Sequence, residues 1–173
     1  MQIEITVQFT TKPFIDETIV QQRIQTLIAD IVSSVPSSLE GVTIVAATPS
    51  SIQFAKLFSA AFRFQGIDSI VITGPVEPSS KWLVENQTSW MTASVILQDV
   101  SSTGQHLKRL QELCIEHLSI PIRTVVMLSK HQENESDWEP DWTGFCIPNE
   151  FVVGCGMDIN GQLGALGSIK VLA

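Results

Sequence analysis

Short runs of apolar residues alternate with helix-forming segments through most of this chain. The runs Val42–Ala47, Ser69–Thr73, Ser94–Leu97 and Ile122–Leu128 are almost continuously apolar. Strands that are apolar on both faces are typical of a parallel sheet that helices cover on both sides. The pattern therefore predicts an α/β fold with a mainly parallel sheet and helices on both faces.

The segments between these runs carry apolar residues at helical spacing. Asp16 can cap a first helix, a second follows Thr48–Ser51 and closes at Gly66, and a third follows Gly104. Their predicted inward faces are Val20, Ile24, Leu27, Ile28 and Ile31; Leu57, Phe58, Ala61 and Phe62; and Leu107, Leu110, Cys114 and Leu118. These stripes are typical of helices packed against a sheet.

Other segments are less regular. Ile3–Phe9 alternates like a strand, whereas Gly74–Thr92 has no period and carries two prolines and two tryptophans, which is typical of a functional or mobile loop. His131–Trp142 is predicted to be an acidic loop, and Gly144–Ala173 is predicted to form short strands and turns. With no repeat and no low-complexity tract, residues 1–173 are predicted to form a single domain.

Composition limits the function classes. The formal net charge is −8 and the ten lysines and arginines are scattered, so a nucleic-acid-binding surface is not expected. No apolar run is long enough to span a bilayer, and residues 1–9 lack the pattern of a secretory signal, so we expect a soluble cytoplasmic protein with no membrane partner. Three cysteines without CxxC spacing are predicted to be buried free thiols.

The segment Ser94–Leu110 combines a strand, a small hydroxyl-rich turn and a helix. The strand is predicted to end at Gln98–Asp99, and the turn consists of Ser101, Ser102, Thr103 and Gly104. Free N–H groups and the positive end of the helix dipole make such a turn a binding site for a phosphate group. The alternative is a turn whose hydroxyl groups cap the helix without any ligand.

Two segments carry a family resemblance. The sequence GFCIPNEFVVGCGMD, residues 144–158, closely resembles the C-terminal signature of the hypoxanthine-guanine phosphoribosyltransferases. Residues 95–107 are similar to the motif with which that family binds 5-phosphoribosyl pyrophosphate (PRPP), and the two segments occur in the family's order. The resemblance implies a type I phosphoribosyltransferase fold with a small C-terminal hood, built from the N-terminal strand and roughly residues 131–173.

The resemblance also implies an activity and its partners. The family transfers the 5-phosphoribosyl group of PRPP to a purine base, with Mg2+, and forms a purine nucleoside monophosphate and pyrophosphate. It implies a mobile loop over the site, here Gly74–Thr92, and a homo-oligomer, either a dimer or a tetramer.

The family's purine pocket matches this chain residue by residue. Lys130 matches the lysine that donates to the purine 6-oxygen, Phe151 the aromatic residue that stacks on the base, and Val152 the position whose backbone binds the purine edge. Asp158 matches a carboxylate that holds Mg2+ near pyrophosphate. Two simpler interpretations stay open: Lys130 as a solvated side chain, and Asp158 as a turn residue before Asn160–Gly161.

The family's catalytic groups match only in part. The family has two adjacent carboxylates that bind the ribose hydroxyls. This chain keeps one of them, Asp99, and has Gln98 in place of the other. Asp99 needs a partner at the end of a buried strand and is the second predicted metal ligand. Ser102 occupies the position of the family's catalytic aspartate base. Thr48–Ser51 lacks the basic residue that binds pyrophosphate.

Further departures from the family concern pyrophosphate and the mobile loop. Gly164 stands where an arginine is expected, and the chain contains no tyrosine to supply the family's Ser-Tyr pair. Loss of a positioned acid or base costs about 10²–10⁴ in rate.

The chain thus matches the family's purine pocket but not all of its catalytic groups, and three hypotheses follow from this difference. The first is a weakly active or inactive homologue that binds nucleotides or regulates a partner. The second is an active purine-salvage transferase in which Asp99 and Asp158 share Mg2+ and Lys81 reaches pyrophosphate. The third is a structural subunit that pairs with an active homologue.

Overall fold

The computed structural model of the chain describes residues 9–34, 40–130 and 138–173. In chain order its elements are β1 (Thr11–Ile15), α1 (Glu17–Ser34), β2 (Gly41–Ala46), α2 (Ile52–Phe64), β3 (Asp68–Thr73), α3 (Ser80–Glu85), β4 (Ala93–Ser101), α4 (Gln105–His117), β5 (Ile122–Lys130), β6 (Trp142–Ile147), β7 (Val152–Val153) and β8 (Ile169–Leu172). Short 3₁₀ turns lie at Pro49–Ser51 and Gln87–Ser89.

Five strands form a parallel sheet in the order β3-β2-β4-β5-β6. Buried residues of α1 and α2 pack in one apolar cluster and those of α3 and α4 in another. The helices therefore cover both faces, and the α/β prediction is confirmed. Since all five strands run the same way, the loops after β2, β4 and β5 meet at one edge of the sheet, where ligands bind in such folds.

The predicted apolar stripes form the core. All five residues of the α1 stripe are buried. In α2, Phe54, Phe58 and Phe62 are fully buried at a spacing of four, and Leu57 is only partly buried. Each buried phenyl stabilises the fold by about 1.5–3 kcal/mol relative to an exposed one.

A second, three-stranded antiparallel sheet joins the two ends of the described chain. Its strand order is β1-β8-β7, with Thr11 opposite Leu172 and Val152 opposite Val171. The strand predicted at Ile3–Phe9 lies outside the described residues except for Phe9, which belongs to no strand. The N-terminal segment that joins this sheet is thus β1.

The segment Gly74–Thr92 contains more structure than its sequence predicts. It holds α3, in which Trp82 and Leu83 are buried. The rings of Trp82 and Trp90 meet edge to face at 5.6 Å, and the Trp82 indole N–H donates to Thr73 O at 3.0 Å. The irregular spacing concealed this helix, because two aromatic side chains rather than an apolar stripe anchor the segment.

The cysteine prediction is correct for two of three residues. Cys114 and Cys155 are buried free thiols, whereas Cys146 is exposed on β6. Burial raises the pKa of the Cys114 thiol from 9.0 to about 12, and burial with the nearby Glu17 carboxylate raises the pKa of Cys155 to about 11.

We expect a thiol reagent at pH 8 to modify Cys146 alone in the native protein and all three cysteines after unfolding, since the buried thiols are inaccessible and protonated. Between pH 9.0 and about 12 the unfolded chain loses thiol protons that the folded chain keeps. The free energy of unfolding should therefore fall through that range. Counting modified thiols by mass spectrometry, with Cys146→Ser as control, tests the first expectation. Modification of Cys114 as fast as Cys146 contradicts it.

Among the described residues, no helix is long and apolar enough to cross a membrane.

Candidate functional site

Strand β4 continues further than its sequence predicts. It runs through Gln98 and Asp99 to Ser101, and Ser101 pairs with Ser129 of β5. The predicted end at Gln98–Asp99 is therefore wrong, because pairing with β5 holds polar residues in the strand. The turn before α4 shortens to Ser102–Gly104.

Asp99 lies buried among hydroxyl groups of the loop after β2. Its side chain is 2% exposed, and its Oδ1 accepts hydrogen bonds from Thr48 Oγ1 at 3.0 Å and Ser51 Oγ at 2.9 Å. The Asp99 backbone N–H donates to Ser51 Oγ at 3.0 Å, and the two hydroxyl oxygens are 2.6 Å apart. We call Thr48, Ser51 and Asp99 the hydroxyl clamp. The expectation that Asp99 needs a partner is confirmed.

The turn Ser102–Gly104 presents two exposed hydroxyl residues at the start of α4. Ser102 and Thr103 are exposed, and the Ser101 hydroxyl accepts the Gly104 N–H at 2.9 Å. Gly104 adopts φ +68°, and no acidic residue lies in the first turn of α4. Ser101 thus orders the turn. The Thr103 hydroxyl accepts the Gln105 N–H at 3.5 Å, and the exposed hydroxyls of Ser102 and Thr103 can still donate to a phosphate.

Two aromatic residues next to this turn have packing roles. A Cβ on Gly104 would lie 2.7 Å from the Trp138 ring, and the Trp138 indole N–H donates to Gln111 Oε1 at 3.0 Å. Trp138 therefore covers one side of the turn. His106, which its helical position predicts to be a surface residue, is half-buried with Nε2 3.1 Å from Ala47 O. The sequence carries no signal for this contact, since α4 and β2 are far apart along the chain.

The predicted purine-binding residues lie at the end of β5 and in the segment that follows β6. Lys130 is the last residue of β5 and pairs with Ile147 of β6. Ile147 precedes Phe151 by four residues along the chain. Phe151 is 53% exposed although it is a large apolar residue. Val152 is buried, and its strand β7 forms the edge of the three-stranded sheet, which leaves one side of its backbone unpaired by that sheet.

Asp158 has a clear structural role. It is exposed, and its Oδ1 accepts the Gly161 N–H at 3.0 Å. Asn160 and Gly161 have φ values of +52° and +74° between the paired residues Ile159 and Gln162, which makes a tight hairpin. The turn interpretation of Asp158 is therefore confirmed, and the metal role stays a prediction.

The C-terminal segment closes on the loop after β2. Gly156 has φ +98°, and a Cβ there would clash with the backbone oxygen of Ser50. The Gly156 N–H donates to Gly164 O at 2.8 Å. The glycine-rich sequence VVGCGMD is the signal for this close approach, although nothing in it identifies Ser50 as the neighbour.

The chain is similar in part of its sequence to several curated proteins. No protein-family model matches the chain. A hypoxanthine-guanine phosphoribosyltransferase from Lactococcus lactis is 40% identical over 78 residues, which are 45% of this chain and 42% of that protein. The corresponding protein from Streptococcus pneumoniae is 36% identical over the same length, 45% of this chain and 43% of that protein. The matches thus span less than half the length of these curated relatives.

Solved structures match over nearly the whole chain. A hypoxanthine phosphoribosyltransferase from Trypanosoma cruzi in complex with IMP superposes with a TM-score of 0.75 at 19% identity and covers 97% of each chain. A hypoxanthine-guanine phosphoribosyltransferase from Bacillus anthracis gives 0.73 at 20% identity, over 96% of this chain and 99% of that one. The chain is similar in part of its sequence to hypoxanthine-guanine phosphoribosyltransferases. Its fold is the type I phosphoribosyltransferase fold.

The family's Mg2+ fits this chain only in part. Carboxylate oxygens suit Mg2+, which binds through one or two carboxylates, waters and substrate phosphates. Asp158 is exposed and fits such a role. Asp99 does not, because its Oδ1 is occupied by two hydroxyl donors at 2% exposure. The described ranges contain no group of three or more His, Cys, Asp or Glu residues placed to hold a metal ion.

Proposed function

We propose that this protein binds purine nucleoside monophosphates and has little or no transferase activity. The observation that carries the proposal is an asymmetry at the sheet edge. Phe151 is exposed in the segment between β6 and β7, whereas Asp99 is buried inside the hydroxyl clamp. The side chain predicted to stack on a base is thus accessible, and the carboxylate predicted to bind ribose and metal is not.

The groups at the edge suit a 6-oxopurine nucleotide. An ammonium group at Lys130 donates to a 6-oxo group, Phe151 offers a face for stacking, and the open edge of β7 can bind polar atoms of the base. The exposed hydroxyls of Ser102 and Thr103, at the start of α4, suit a 5′-phosphate.

The groups needed for transfer are absent from their expected positions. Ser102 carries a hydroxyl where the family pattern has a carboxylate, and a hydroxyl is a poor base near neutral pH. Thr48–Ser51 and Gly164 carry no charge with which to stabilise departing pyrophosphate.

We expect GMP and IMP to bind, and AMP to bind more weakly because its 6-amino group is a donor facing the donor Lys130. Replacing Phe151 with alanine should weaken GMP binding by about fivefold or more, since stacking contributes roughly 1–3 kcal/mol per base. Calorimetric titration measures both effects. Phe64→Ala is a matched control, because Phe64 is 88% exposed at the far end of α2. Absence of GMP and IMP binding up to millimolar concentration contradicts the proposal.

A second candidate is an active purine-salvage transferase, which the 40% identity to the Lactococcus lactis protein favours. In that case Asp99 and Asp158 hold Mg2+ and Lys81 binds pyrophosphate. Lys81 instead pairs with Glu85 at 3.7 Å on the surface of α3.

In either case we infer a cytoplasmic homo-oligomer, a dimer or tetramer, since the oligomeric state of the Trypanosoma cruzi relative has been linked to its C-terminal region. If no nucleotide binds, the remaining hypothesis is a structural subunit that pairs with an active homologue.

A further inference from the structure

We propose that the outer face of α4 is an interface between two copies of this chain, which meet there with their α4 helices antiparallel. The partner is a second copy, rather than a different protein, because the charges of this face complement themselves when the helix is turned end for end. Most soluble homo-oligomers are built from two-fold contacts of this kind. The inference does not depend on the proposed function, since none of the residues that carry it is predicted to bind a nucleotide.

A groove with a volume of about 810 Å³ lies along α4. The helix residues that line it extend from Gln105 to Glu116, and residues of the loop after β3, among them Val76 and Pro78, complete it. Val76 is 89% exposed, and Leu113 of α4 lies partly buried in the groove. Exposed apolar groups with a polar rim are typical of a protein interaction site.

Four exposed residues of α4 in this groove form a regular row, which we call the α4 stripe. They are Gln105, Arg109, Glu112 and Glu116. Their spacing of four, three and four residues places them on one face of an α-helix. It is also the spacing of the positions through which the helices of a coiled coil meet. The opposite face of α4 is buried in the apolar cluster that α4 shares with α3.

Contacts outside the stripe fix the position of α4. His106 Nε2 lies 3.1 Å from Ala47 O at the end of β2. The Trp138 indole N–H donates to Gln111 Oε1 at 3.0 Å. Neither contact uses a residue of the stripe. The stripe therefore lies on a helix that is already held in place, so that little conformational freedom is lost when two copies meet.

The charges of the stripe are divided along the helix. Arg109 lies in its N-terminal half, and Glu112 and Glu116 lie in its C-terminal half. Among the residues that the structure describes, Arg109 has no hydrogen-bond or ion-pair partner. A helix face that is positive toward one end and negative toward the other attracts an antiparallel copy of itself, because complementary potentials then meet along the contact.

A two-fold axis midway between Arg109 and Glu112 pairs the stripe with itself. Arg109 of each copy then lies opposite Glu112 of the other copy. The same axis places Gln105 opposite Glu116, and the Gln105 amide can donate to that carboxylate. The four charges next to the axis alternate in sign, both across the contact and along each helix. Each pairing occurs twice, because a two-fold contact uses the same surface on both copies.

Sedimentation velocity of the full chain at micromolar concentration tests the interface. The wild-type chain should sediment as a dimer, or as a larger assembly of dimers if a second interface exists. Arg109→Glu and Glu112→Arg should each weaken association by about tenfold or more, because each places like charges opposite one another in both halves of the contact. A monomeric wild-type chain, or an assembly that neither variant affects, overturns the inference.

Mixing the two variants gives a sharper result. Equal amounts of Arg109→Glu and Glu112→Arg chains should associate with each other although each alone does not. In the mixed pair, positions 109 and 112 of one chain face opposite charges on the other chain in both halves of the contact. This recovery requires the antiparallel pairing about the two-fold axis. A mixture that sediments like the separate variants overturns the inference.

Lys108→Glu is the matched control. Lys108 is an exposed basic residue of α4 next to Arg109, but it does not line the groove. The substitution changes the net charge of the chain by the same amount as Arg109→Glu, and it should change association by less than about twofold, since isolated surface charges contribute little. Circular dichroism should be unchanged in all three variants, because each position is exposed. Equal weakening by Lys108→Glu and Arg109→Glu overturns the inference, since general repulsion would then explain both.

Discussion

Supplied with hypoxanthine, PRPP and Mg2+, the purified protein should form IMP about 10²–10⁴ times more slowly than its Lactococcus lactis relative. Loss of one positioned catalytic base usually lowers a rate by this factor. The physical reason is the hydroxyl of Ser102, which we propose stands where hypoxanthine-guanine phosphoribosyltransferases have an aspartate base. Such a loss corresponds to about 3–6 kcal/mol of transition-state stabilisation. The uncharged loop Thr48–Ser51 adds to it, although the two losses need not be additive.

A continuous spectrophotometric assay measures this rate, with the lactococcal protein as positive control. Ser102→Asp should raise the rate while leaving it below that control, since the variant introduces a carboxylate base and leaves Thr48–Ser51 uncharged. Ser102 is exposed, so the substitution should not affect the fold. A wild-type rate equal to that of the positive control contradicts the expectation and favours the active transferase.

Replacing Gly154 with alanine should lower the free energy of unfolding by about 2–6 kcal/mol, the sum of backbone strain and overpacking. Gly154 adopts φ +105°, which an L side chain rarely adopts, and a Cβ would clash with the backbone oxygen of Ser168. Since a domain of this kind is stable by about 5–15 kcal/mol, the loss is a large part of the total.

Urea unfolding followed by circular dichroism measures the loss. Gly161→Ala is the matched control, because Gly161 also has a positive φ of +74° but a methyl group added there would have no neighbour within 4 Å. It should cost only about 1–2 kcal/mol for the left-handed conformation. The same loss in both variants would show that the contact with Ser168 contributes nothing. GMP titration of Gly154→Ala should also show weaker binding, since Gly154 directly follows the strand that carries Val152.

The parallel sheet and its helices were predictable from the sequence. The apolar run of β2 and the apolar stripe of α1 are buried as their spacing predicts. The spacing of apolar residues within one helix or strand determines which of its faces is apolar, and that face packs in the core. Aromatic anchors are less predictable. Trp82 holds α3 in place through a bond to Thr73 and a ring contact with Trp90, and neither contact leaves a period in the sequence.

At the candidate site, too, some features were predictable from the sequence and others were not. The sequence by itself determined which residues match the motifs of the hypoxanthine-guanine phosphoribosyltransferases and so predicted Lys130, Phe151 and Val152 on the purine side and Ser102 in place of a base. Only the tertiary structure decided what Asp99 does, because its hydroxyl partners are 48 and 51 residues away along the chain. Neighbouring parallel strands bring the ends of β2 and β4 together, and hydrogen bonds across that distance have no local sequence signal.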